Sequence, residues 1–136
     1  MFSLMHLHPM VVHFPIAIIL LGFLAEFLFL TGKQKSDFLN TASYYLMLLG
    51  SIAAIVTVLT GLFFTQQMLG ESGILRERHE QAAIITTVII TIATVLRIIF
   101  RTQGNEARFR WIYDILLLIS SLCIMYTGNL GGNLVY

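Results

Sequence analysis

The opening segment HLHPMVVHFP, residues 6–15, sets His6, His8 and His13 and two prolines into an apolar run, and a fourth histidine, His79, stands in RERHEQAA. Imidazole is a ligand for zinc, copper, iron and haem iron, and a ligating ring normally has its second nitrogen held by a carboxylate, a carbonyl or water. His6 and His13, seven residues apart, would share one face of a helix; His8 and His13, five apart, would diverge by about 140°. Pro9 interrupts any helix between them. Ligands contributed by different helices therefore fit better than a pair inside this segment. The opposing reading is structural: interfacial histidines can hydrogen-bond to loop carbonyls and tie helices together, because an ionisable group at membrane depth is costly unless satisfied.

The elements that must position these rings follow from composition. The chain has 136 residues, 57% of them hydrophobic and 11% charged, against about 25% charged in soluble domains. Four apolar runs, near 10–30, 44–64, 81–100 and 111–127, are separated by TGKQKSD, GESG and RTQGNEARFR. A bilayer core is crossed by roughly 20 helical residues, so three runs suffice and the fourth needs flanking residues. Lipid admits only helices and closed barrels, and no run shows barrel-like alternation. The fold class expected is all-α, a four-helix transmembrane bundle forming one integral membrane domain. Pro15 inside the first span is expected to kink it. The amino terminus lacks a basic region and a small-residue cleavage site, so its apolar run reads as a retained helix.

Alternating spans divide the loops into two sides. One receives Lys33, Lys35, Arg97, Arg101, Arg108 and Arg110, six of the eight basic residues. The positive-inside rule makes that side cytoplasmic and puts both termini outside. The outer side then gathers the histidines and the tail GNLGGNLVY. Counted at 1.5 Å per residue on upright helices, His13 and His79 differ in depth by up to roughly 10 Å, which weighs against them as a haem pair. Glycines at 128, 131 and 132 would let the tail turn back over the histidines, with Tyr126 at the boundary and Tyr136 as lid or donor; a frayed terminus is the other reading. At the basic end, Glu26, Arg97 and Asp114 lie on three helices within about a turn of the boundary. Pairing among them is favoured over a proton path, because no ionisable chain joins the two ends. The threonine stripes and the Ala53, Thr57, Gly61 spacing read as packing faces.

Other chemistries have little support. The net charge of +1 and the lack of a basic patch exclude nucleic acid. The single cysteine, Cys123, allows neither an intrachain disulfide nor a cysteine-based cluster. No phosphate loop or spaced Ser-His-acid set is present.

HPMVVHFPIAIILLGFLAEF, then RERHEQAA, then terminal GGNLVY resemble a widespread bacterial family of small four-span membrane proteins, domain of unknown function number 2231. The matching positions are His8, Pro9, His13, Phe14, Pro15, Glu26, His79, Gly131, Gly132, Leu134, Val135 and Tyr136. The resemblance implies a bacterial inner-membrane location. Relatives joined to cytochrome c-like or Rieske-like domains imply proximity to electron transfer. The expected function is an outer-facing histidine-lined site for haem b or a transition metal. Its ligand candidates are His13, His79 and His8, and Tyr126 and Tyr136 are placed to orient or cover the group. Partners expected are the lipid bilayer, redox membrane proteins and a second copy of the chain. Two alternatives stand beside it: a non-catalytic membrane subunit or docking protein, and a small transporter.

Overall fold

A computed structural model describes residues 11–33, 35–64 and 70–135. His6, His8, Pro9 and Tyr136 lie outside the described residues. Four helices follow one another: α1 (His13–Thr31), α2 (Asp37–Phe64), α3 (Glu71–Thr102) and α4 (Glu106–Val135), and all four are long and apolar enough to cross a membrane. At 1.5 Å per residue, α1 is about 28 Å long and α3 about 48 Å, so α3 overhangs a bilayer core of about 30 Å.

The helices alternate in direction and pack as a ring, α1 on α2, α2 on α3, α3 on α4, with α4 closing more sparingly onto α1. Each buries a stripe spaced by three and four residues: Pro15, Ile19, Gly22 and Glu26 on α1, and Thr86, Ile90, Ala93 and Arg97 on α3. Ser43, Met47, Ser51 and Ala54 do the same on α2, and Tyr113, Leu117, Ser120, Ile124 and Thr127 on α4. That spacing is the left-handed bundle seam, in which one helix's side chains enter the holes of the next.

Small and hydroxylated residues dominate the seam, because lipid supplies no hydrophobic drive and helices gain by close backbone approach. Gly50 shows how close: a Cβ built there would lie 2.8 Å from Cγ1 of Ile19, which is itself fully buried. The buried hydroxyls mostly return their protons to their own helix; Thr86, Ser120, Ser121 and Thr127 each bond the carbonyl four residues back at 2.8 Å. Thr94 also reaches across to the Met47 carbonyl of α2 at 3.2 Å. Large apolar side chains such as Leu24, Ile52, Ile92 and Leu122 face outward, where lipid would cover them.

The first helix is interrupted at Val12, between the helical Val11 and His13, where the missing N–H of Pro15 leaves the Val11 carbonyl without its intrahelical donor; that carbonyl accepts from Thr57 Oγ1 of α2 at 3.4 Å. Two expectations change. The segment 128–133 does not return over the bundle but continues α4 to Val135. Residues 71–80, which precede the third apolar run, already belong to α3. Between α3 and α4, Gly104 takes φ +71, with its N–H on the Arg101 carbonyl and the Asn105 N–H on Phe100. This is the glycine-terminated helix end that satisfies the last carbonyls.

Candidate functional site

At the basic end, the most deeply buried charged group is Arg97, with no exposed surface. Its position on the α3 stripe aims it at the bundle axis, and each donor nitrogen finds a partner on another helix. Nη1 donates to Glu26 Oε2 of α1 at 2.9 Å, and to Ser43 Oγ at 2.8 Å and Met47 Sδ at 3.2 Å on α2. Nη2 donates to the Asn40 carbonyl at 3.0 Å and Asn40 Oδ1 at 2.8 Å. Nε donates to Glu106 Oε1 of α4 at 3.2 Å. One guanidinium thus touches all three other helices, which its planar five-donor fork permits and a lysine could not reproduce.

Arg110 completes the cluster. It pairs with Glu26 Oε1, donates to Asn40 Oδ1 at 2.9 Å, and lies 3.5 Å from Glu106 Oε1. The Tyr113 hydroxyl donates to Glu106 Oε1 at 3.1 Å, and its ring lies 4.9 Å below the Arg97 guanidinium. Two carboxylates, Glu26 and Glu106, therefore stand against the buried Arg97 and the partly buried Arg110. Pairing with opposite charge is what allows an arginine this deep. Asp114 faces Glu26, Arg97 and Arg110, but its buried Oδ1 has no hydrogen-bond partner among the described residues.

The Glu26–Arg97 pairing expected from depth is present; Arg110, expected only as a charge on the basic side, joins it, as do Asn40, Ser43, Glu106 and the fully buried Tyr113. For α4 the signal was available: Glu106, Arg110 and Tyr113, at i, i+4 and i+7, share one helix face. Asn40 and Ser43 carried none, since a lone polar residue near a span end is ordinary.

At the opposite end, His79 is half-buried between α3 and α4. Its Nδ1 lies 3.0 Å from the Thr127 carbonyl. A carbonyl only accepts, so Nδ1 carries the proton, and in the neutral ring Nε2 holds the lone pair. Gly131 is what lets the ring lie there: a Cβ at that position would fall 3.0 Å from His79 Cε1. Below it, the hydroxyls of Thr86 and Thr127 meet at 3.4 Å.

His13 begins α1 and is exposed. Ile16 packs toward Gly128 of α4, where a Cβ would meet its Cδ1 at 3.3 Å. Because α1 and α4 are antiparallel, His13 lies near the level of Gly131, and so within about one turn of His79 in height. The two rings are nonetheless on helices that sit diagonally in the ring, with α4's glycines between. Tyr126 points outward and is more than half exposed. Among the described residues no three His, Cys, Asp or Glu side chains are grouped to hold a metal ion; His8 and Tyr136 lie outside them.

The fold and the charged clasp define an integral membrane four-helix bundle. The chain belongs to the family described as Predicted membrane protein (DUF2231), which matches residues 5–136. No curated protein and no solved structure matches it.

Proposed function

We propose that the histidine end is a ligand site for haem b or a transition metal serving electron transfer, with His79 as its principal ligand. The observation supporting this is the bond from Nδ1–H to the Thr127 carbonyl. A second-nitrogen bond of this kind fixes the tautomer and aim of a ligating imidazole. His13, close in height, and His8 are the further ligands in this reading, with Tyr126 and Tyr136 at the mouth. The protein lies in a bacterial inner membrane with the histidine end outside, beside redox partners or a second copy.

The test is an absorption spectrum with elemental analysis of protein purified from native membranes. A Soret band, or stoichiometric Zn, Cu or Fe, that is lost in His79→Ala supports the proposal. Absence of both refutes it.

A second reading rests on Gly131. The ring of His79 fills the space a side chain there would take, so the histidine also serves as a latch between α3 and α4 in a non-catalytic subunit. On that reading His79→Ala loosens the α3–α4 contact and moves no spectrum.

A further inference from the structure

We propose that the basic end binds anionic phospholipid headgroups, their phosphates held by Lys33 at the α1–α2 turn and Arg108 at the start of α4. The inference begins with what the clasp consumes. Glu26 and Glu106 are both committed to Arg97 and Arg110, and Glu106 Oε2 is shared with Arg101 at 3.7 Å. Asp114 is partly buried, with its Oδ1 enclosed. These acids are therefore spent inside the bundle. Among the described residues, the rim keeps Lys33, Lys35 and Arg108 exposed against one exposed carboxylate, Asp37.

The surplus cations differ in what they already do. Lys35 donates to the Phe29 and Leu30 carbonyls at 3.1 and 2.7 Å, closing the end of α1. Lys33 and Arg108 have no ion pair among the described residues, and Arg108 only overlies the Phe109 ring at 5.3 Å. Trp111 follows Arg108 by one turn on the same helix face and is 62% exposed. An exposed tryptophan at a span end marks the headgroup level, because its ring is apolar and its N–H polar. Arg108 thus sits where lipid phosphates lie, with its five donors unclaimed by any carboxylate. Phe38, 77% exposed at the start of α2, supplies apolar surface for acyl chains at the same level.

A basic side chain near an anionic lipid surface contributes about 1 kcal/mol, or roughly five-fold in affinity. The test titrates the full chain, in a neutral-headgroup detergent, with phosphatidylglycerol or phosphatidylcholine and counts bound lipid by native mass spectrometry. Phosphatidylglycerol should bind in preference. Arg108→Gln should weaken it about five-fold, and Lys33→Gln with Arg108→Gln about 25-fold. Arg78→Gln, which removes an exposed charge at the opposite end, should leave binding unchanged, with circular dichroism verifying that each variant is helical. Equal binding of the two lipids would overturn the proposal, as would an Arg78→Gln effect matching that of Arg108→Gln. Displacement of the lipid by millimolar inorganic phosphate would overturn it too, assigning the site to a free anion.

Discussion

Replacing Arg97 by methionine tests whether the four helices are held at the basic end by one side chain. Methionine approximates the arginine stem in volume and helix propensity, so the change removes chiefly the guanidinium. Its loss leaves Glu26 Oε2, Ser43 Oγ and the Asn40 carbonyl without their Arg97 donor. Glu26 Oε1 keeps Arg110, and Glu106 keeps Tyr113. Stranding one partner of a buried ion pair costs about 3–5 kcal/mol. The retained Arg110 neutralises Glu26, which places the expected cost at the low end, about 3 kcal/mol. Neutral hydrogen bonds between membrane helices average only about 0.6 kcal/mol each, so the charge and not the bond count dominates. Arg97→Lys keeps the charge but offers three donors to acceptors on three helices, and should cost about 2 kcal/mol. Reversible unfolding in mixed micelles titrated with sodium dodecyl sulfate measures these differences, because helices persist in the unfolded state and only their association is lost. A double-mutant cycle with Glu26→Gln should show coupling of about 1–3 kcal/mol. An Arg97→Met variant within about 0.5 kcal/mol of wild type, or a purely additive cycle, would refute the clasp.

The same assay separates the glycines. Gly50→Ala forces a methyl against Ile19 at 2.8 Å and should cost about 1–3 kcal/mol, whereas Gly132→Ala meets nothing within 4 Å and should stabilise α4 by about 0.5–1 kcal/mol. Gly104→Ala places a side chain at φ +71 and should cost about 1 kcal/mol, visible as faster amide exchange around residues 100–105. Orientation is open to chemical labelling. With Cys123→Ala as background, Gly70→Cys should react with a membrane-impermeant maleimide in sealed cells and Gln103→Cys only after lysis; the reverse pattern would invert the topology.

Sequence alone determined the number and kind of elements, because hydropathy and length are local properties measured against a bilayer of fixed thickness. It also located the charged ends, and depth alone suggested that Glu26 and Arg97 meet. Tertiary structure decided which face each helix turns inward and at what height, since a three-and-four spacing becomes a contact only once rotation and register are set. That choice made Arg97 the point where four helices converge and brought in Asn40 and Ser43, whose positions carried no signal of their own. It also reversed the reading of the glycines near the carboxyl end. In isolation they mark a turn, but inside a helix in lipid, where every backbone group must bond within the segment, Gly128 and Gly131 instead give α1 and His79 room to approach α4. For the histidines, sequence named the candidates and the fold gave His79 its carbonyl partner, because Thr127 lies 48 residues away and only the packing of α3 on α4 brings the two together.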